Sequence, residues 1–322
     1  MTLDVYTHIL PRKYYRALEK KASQGNLSLH GIEPLLSGNP ALMDLDLRDR
    51  MLAEHPDMKQ VITLVGPPLE TIAKPEDAVD LAKTANDELA EIVERYPDKF
   101  AAAVALLPLR DIEAAMLEID RALTDLHLRG IQIYTDINRR PLDAPELMPV
   151  YEKMAQYDLP IFIHPNKDAA EPDYPGEQGS RYQLNATIGW PHATTLAMMR
   201  LAYSGVLEKF PALKIITHHS GGTVPYLAER IAFAPYKSEK LIRPVTESLR
   251  LFYADTAVQG NTPNLMCAYA FFGADRLLFG TDFPLSNAHL VNEVIRSVKE
   301  MDITDRERND ILEGNARRLL KV

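Results

Sequence analysis

Four positions in this 322-residue sequence place a metal-binding or proton-moving side chain at the end of a short apolar run. His8 closes Leu-Asp-Val-Tyr-Thr, His164 closes Pro-Ile-Phe-Ile, the pair His218-His219 closes Lys-Ile-Ile-Thr, and Asp282 closes Leu-Leu-Phe-Gly-Thr. Neutral imidazoles and a carboxylate are the usual ligands of zinc or manganese, and a catalytic centre keeps a position open for water or substrate. His8, His164 and Asp282 can supply three such ligands. Side chains alternate across a strand, so the tandem histidines should send one ring into the site and one away. We favour His219 for proton transfer, because an imidazole titrates near working pH. His218 is then its structural neighbour, and the reversed pair stays open. The bland alternative for Asp282 is a cap on the following helix; Asp255, in Tyr-Ala-Asp-Thr, reads as a polar support. His30, His55, His127, His192 and His289 fall in loops or helices and carry no expected role.

Positioning such residues together requires strands that end at one mouth. The candidate strands are Leu3 to His8, Lys59 to Val65, Phe100 to Leu107, Gly130 to Tyr134, Pro160 to His164, Lys214 to His218, Leu249 to Tyr253 and Arg276 to Phe279. They are rich in Val, Ile, Leu and Phe without clean alternation, as strands buried on both faces of a parallel sheet are. Helical spacing runs between them over Pro75 to Arg95, Asp111 to Leu123, Leu147 to Tyr157, Thr194 to Lys209, Val224 to Ala234 and Leu290 to Met301. Eight such steps predict an α/β protein, one (β/α)8 TIM-barrel domain over 1–322, with catalytic groups at the C-terminal ends of its strands. Two stretches break the alternation, Ser23 to Asp44 and Asn166 to Gly189. The second leaves the barrel directly after His164, where an irregular insertion builds a lid, a substrate wall or a dimer contact. Tyr182 and, just beyond, Trp190 can pack there on a planar ring, or sit in the core or an interface.

Composition narrows the function. Apolar residues make up 46% and charged residues 25%, and the net charge is −9. A soluble protein with no general affinity for nucleic acid or membranes is expected. The start of the chain has no basic-then-apolar leader, so a cytoplasmic location is expected. The single cysteine, Cys267 between Met266 and Ala268, cannot form an internal disulfide and reads as a buried thiol.

With these residues in place, the chain resembles the amidohydrolase-related superfamily, in the branch of aminocarboxymuconate-semialdehyde and γ-resorcylate decarboxylases. The likeness runs from Leu3 to Leu320. It rests on Asp4-Val-Tyr-Thr-His8, Leu159-Pro-Ile-Phe-Ile-His-Pro165, Ser204-Gly-Val-Leu-Glu-Lys-Phe-Pro, His219-Ser-Gly-Gly-Thr-Val-Pro225, Gly280-Thr-Asp-Phe-Pro284 and Gly314-Asn-Ala-Arg-Arg-Leu. The resemblance implies one divalent metal, zinc in preference to manganese, on His8, His164 and Asp282. It also implies that His219 is acid/base and that a homodimer or homotetramer forms. Where the family carries His-x-His or Glu-x-His on the first strand, this chain has Tyr6-Thr-His8. Three outcomes follow: three protein ligands plus water, a Tyr6 that coordinates or contacts substrate, or weakened metal binding. Arg48 stands where relatives pair an arginine with a substrate carboxylate, and is otherwise a solvated helix residue. Arg230 resembles an arginine lent across a dimer interface.

The function so implied is metal-dependent, nonoxidative removal of carbon dioxide from a hydroxylated aromatic or unsaturated carboxylic acid, with His219 or Asp282 supplying the proton. The alternative on the same site is a metal-dependent hydrolase or hydratase acting on a lactone, amide or ring-cleavage product. A barrel that only binds a small acid or a partner protein is the third reading.

Overall fold

A computed structural model describes residues 2–29, 32–234, 236 and 238–322; His30 lies outside them. Eight strands run parallel around a barrel: β1 (Thr2–Ile9), β2 (Met58–Leu64), β3 in two segments (Phe100–Ala103 and Ala105–Leu106), β4 (Ile131–Tyr134), β5 (Ile161–His164), β6 (Ile215–Thr217), β7 (Tyr253–Asp255) and β8 (Leu277–Leu278). One sheet joins β1, β2 and the first part of β3; a second runs from the rest of β3 through β4, β5, β6 and β7 to β8. The two are continuous at Val104 and close between β1 and the segment that follows β8. There Val5 N donates to Phe279 O at 2.8 Å, Asp282 N to Tyr6 O at 3.0 Å and His8 N to Phe283 O at 2.7 Å.

Two apolar layers hold this shape. Inside the barrel, Leu3, Val5, Tyr6, Val61, Ala102, Val104, Phe162, Ile216 and Leu278 pack together, and Ala316, Leu319 and Leu320 of the last helix join them. The larger layer lies between strands and helices. Helix Pro75–Arg95 turns Ala78, Leu81, Ala82, Ala85 and Leu89 inward at helical spacing, behind acidic residues in its first turn that suit the positive helix end. Asn287 caps helix Ala288–Lys299, accepting from Leu290 N at 3.1 Å.

Two sequence expectations shift, and one element goes unread. The seventh strand, expected over Leu249 to Tyr253, is Tyr253–Asp255, and Leu249 ends helix Val245–Leu249. Leu249 and Phe252 are core residues either way, and a short apolar run does not distinguish a buried helix end from a buried strand. The helix expected over Thr194 to Lys209 is two, Trp190–Tyr203 and Val206–Lys209, parted at Gly205 with φ 75°. After β4 a small antiparallel ribbon, Asp136–Ile137 with Arg140–Pro141, had no signal long enough to read.

β1 carries a bulge between Asp4 and Thr7, where three steps oppose two on β2. The extra residue turns both Val5 and Tyr6 into the interior, and His8 follows at the mouth. Asp4, fully buried, secures the bulge: its Oδ1 accepts from Tyr6 N at 3.3 Å and Thr281 N at 3.0 Å, and Oδ2 accepts from the Thr281 hydroxyl. Burial pushes its carboxyl up to about 7, against the pull of these donors. A raised folded-state value means that stability falls as pH rises from about 4 to about 7 and is flat above. Asp4→Asn keeps an acceptor and cannot titrate. Between pH 5 and pH 8, urea unfolding should show the wild type losing roughly 2 to 3 kcal/mol relative to this variant; parallel stability profiles would show that Asp4 titrates normally.

Candidate metal centre

Each strand end delivers one side chain. His8 leaves β1, His164 leaves β5, His218 follows β6, and Asp282 follows the turn after β8. The ligand atoms of His8, His164 and His218 lie within 4.8 Å of one another, and so do those of His218, His219 and Asp282. Asp282 Oδ1 is 3.0 Å from His8 Nε2 and 3.4 Å from His218 Nε2, and Oδ2 is 4.0 Å from His219 Nε2. His8 Nε2 is not aligned to hydrogen bond with Asp282, and among the described residues it has no partner. A buried ring nitrogen without a partner, facing a carboxylate oxygen and further imidazoles, fits a cation between them.

The far nitrogens of the rings are fixed. His8 Nδ1 meets Thr63 Oγ1 at 2.9 Å, His164 Nδ1 meets Pro165 O at 2.7 Å, and His218 Nδ1 meets Asp255 Oδ2. Asp255 in turn accepts from Ala257 N at 3.0 Å and Ser220 N at 3.3 Å. Such supports set tautomer and ring orientation, and metal centres use them throughout.

Burial favours neutral rings at His8, His164 and His219, pushing all three pKa values down. His218 differs: burial opposes its charge, but Asp255 and then Asp282 outweigh it and push it up to about 9. Burial opposes the charge of Asp282, but the imidazoles of His218, His219 and His8 beside it outweigh that and hold the carboxyl well below its usual range. Two buried carboxylates therefore need a positive charge beside them, which a proton on His218 or a bound cation supplies.

The structure alters three expectations. His218 and His219 do not face opposite sides: β6 ends at Thr217, and His219 and Ser220 both have φ of 55°. Both rings turn toward Asp282, stacked with centroids 3.8 Å apart. Tyr6, for which coordination or substrate contact was one of three open outcomes, is completely buried, and its ring lies flat on His218 at 3.9 Å and 10°. Its hydroxyl has no partner among the described residues. Arg48 is neither solvated nor in a substrate cavity. It is 1% exposed, donates to Gln60 Oε1 and to His8 O, both at 2.7 Å, and lies over the Phe283 ring. One alternative treated it as a surface residue, whereas its guanidinium reaches inward to oxygens of β1 and β2.

Two cavities flank the centre. One, of about 560 Å³, is lined by His164, Tyr134, Gly66, Arg139, Lys167 and Trp190 among others, with the segment after His164 forming a wall. The other, of about 630 Å³, is lined by His219, Asp282, Trp190, His192 and Asn261 among others. Trp190 borders both and lies parallel to His219, 6.3 Å away at 5°. Tyr182, the other expected ring, is 85% exposed and outside both linings. Asp255, read from the sequence as a polar support, engages His218 Nδ1; the inward turn of His218 lacked a distinctive sequence signal, and only the adjacency of two histidines hinted at it.

A barrel that gathers histidines and an aspartate at the C-terminal ends of its strands defines a (β/α)8 barrel of the metal-dependent hydrolase type, and the comparisons narrow the class. Residues 51–322 match the family model described as Amidohydrolase, and the chain belongs to that family. It is 29% identical over 333 residues to 2-amino-3-carboxymuconate-6-semialdehyde decarboxylase of Dictyostelium discoideum, covering 98% of this chain and 90% of that protein. Identity to γ-resorcylate decarboxylase of Polaromonas sp. JS666 is 31% over 301 residues, covering 87% and 89%. A solved dihydroxybenzoic acid decarboxylase from Polaromonas sp. JS666, with bound manganese and 2-nitroresorcinol, superposes with a TM-score of 0.80 at 27% identity, over 99% of this chain and 96% of that one.

The burial of Arg48 makes a prediction. Arg48→Met leaves Gln60 and the His8 carbonyl without their donor, so urea unfolding should show a loss of about 2 to 4 kcal/mol. KM of the folded variant should change less than about threefold. A large rise in KM at unchanged stability would instead return Arg48 to the substrate.

Proposed function

We propose that this protein is a metal-dependent, nonoxidative carboxy-lyase that removes carbon dioxide from a hydroxylated aromatic carboxylic acid. The observation that carries this reading is the convergence of buried imidazoles and one ionised aspartate beside a Trp190-lined cavity. The family and the named decarboxylases support the same chemistry. On this reading residues 1–322 form one barrel domain of a cytoplasmic homodimer or homotetramer, and the exposed rings of Tyr226, Phe233 and Tyr236 offer apolar surface for association.

His8, His164 and Asp282 would hold one divalent ion. Several imidazole donors with one carboxylate rank zinc ahead of manganese, although the Polaromonas enzyme holds manganese. When bound, the ion orients an oxygen of the substrate and stabilises negative charge developing there. The remaining work falls to side chains. His219, kept neutral by burial and lining the second cavity, can take the proton of the substrate hydroxyl. It then delivers that proton to the ring carbon bearing the carboxylate. The carbon–carbon bond breaks, its electron pair restores the aromatic ring, and carbon dioxide leaves. Asp282 stays anionic in this scheme, so it serves as ligand and as partner of His219 rather than as the acid. Trp190 packs the substrate ring and limits water between the two cavities.

The test is a panel of hydroxybenzoates, beginning with 2,6-dihydroxybenzoate and 6-methylsalicylate, scored for carbon dioxide. Release should require added zinc or manganese, stop on chelation and return on reloading. His219→Asn should lower kcat by about 10²- to 10⁴-fold with metal content unchanged. Metal-loaded protein that forms new acid from lactones or amides, and never carbon dioxide from the panel, would move the assignment to a hydrolase.

A further inference from the structure

We propose that His218 is a further protein ligand of the divalent metal, brought in after β6 and aimed by Asp255, while Tyr6 braces its ring. The proposal rests on the metal-centre reading above and deepens it. Its first support is distance. Donor atoms sharing one ion at about 2.0–2.2 Å lie roughly 3 to 4 Å from one another. His218 Nε2 is 3.4 Å from Asp282 Oδ1, whose distance to His8 Nε2 is 3.0 Å, and the His8, His164 and His218 donors share the 4.8 Å limit. One carboxylate oxygen thus faces two ring nitrogens at the edge lengths of a coordination polyhedron.

The second support is orientation. Asp255 engages His218 Nδ1 and is itself fixed by two backbone amides, so Nε2 can point only toward Asp282 and the other imidazoles. Tyr6 closes one face of the ring at 3.9 Å and His219 the other at 3.8 Å, leaving no rotation. The third support is access. His218 is fully buried and lines neither cavity beside the centre, whereas His219 lines the second. His218 is therefore placed for the ion, and His219 for the substrate. From β1, Tyr6 brings a ring face rather than a nitrogen or carboxylate, and the imidazole it supports arrives from β6.

The experiment counts ligands without relying on turnover. Apo-protein is loaded with Cu(II), and spin-echo modulation gives the number of coordinated imidazoles; zinc affinity is measured by chelator competition. The wild type should show three imidazoles. His218→Ala and His218→Gln should each show two and bind zinc at least 10-fold more weakly, and Asp255→Asn should weaken binding about 10- to 100-fold through loss of orientation. His219→Ala should keep three. Circular dichroism of each apo-variant identifies those that fold, and Asp255→Asn, which removes no ring, reports if both His218 variants misfold. An unchanged imidazole count with affinity within twofold in folded His218 variants would overturn the proposal. So would loss of a ligand in Tyr6→Phe with an intense phenolate band in the wild type. Three imidazoles in a protein that releases no carbon dioxide would retain this assignment and sink the decarboxylase reading; a wild type that binds no metal would sink both.

Discussion

Closure of the barrel between β1 and the turn after β8 is the constraint on which the site depends. The backbone bonds from Val5, His8 and Asp282 across this seam set the distance between the first and last functional residues, nearly three hundred positions apart in sequence. Parallel strands alone would not suffice, since a regular β1 would send Val5 and Tyr6 to opposite sides. The bulge turns both inward, and Asp4 spans from that bulge to Thr281, next to Asp282. A buried carboxylate with a raised pKa is a costly way to join two loops. It makes sense here because its three donors come from both sides of the seam, so the local rigidity is transmitted directly to His8 and Asp282.

The second constraint is charge. Asp255 and Asp282 sit at opposite nitrogens of His218, and burial removes the water that would otherwise screen them. In the absence of a cation the imidazole must hold the compensating proton. On the proposed reading a divalent ion would replace that proton and satisfy the lone pairs of His8 and His164 together, coupling metal binding to proton release and to stability. The polar centre is therefore assembled to remain incomplete without a positive guest.

The barrel was largely legible in the sequence because strands buried on both faces and amphipathic helices leave strong patterns over many residues. Pro75–Arg95 is read with both ends placed, since an N-terminal proline and an acidic first turn mark its start. The seventh strand is displaced because Leu249 and Phe252 are apolar for reasons of packing, whichever element carries them. The site divides in the same way. His8, His164 and Asp282 stand out because each interrupts an apolar run with a polar side chain at its end. What escapes is whatever depends on backbone irregularity. Alternation assigns opposite faces to His218 and His219, and only left-handed φ values just past β6 bring both to Asp282. Arg48 escapes for another reason: a helix pattern does not tell that a guanidinium will find two oxygen acceptors and an aromatic face inside the protein.

Two histidines adjacent in sequence thus come to occupy different chemical environments. His218 has a carboxylate at each nitrogen, a ring on each face and no contact with the cavities. His219 has a tryptophan ring parallel to it and lines a cavity. Their identical side chains differ in what surrounds them, and the surroundings decide which can hold an ion and which can exchange a proton with a substrate. Stacking also couples them: a change in the charge of one ring alters the proton affinity of the other across 3.8 Å. A divalent ion in place of the His218 proton would add positive charge beside His219, so a filled centre would hold that ring neutral and ready to take a proton.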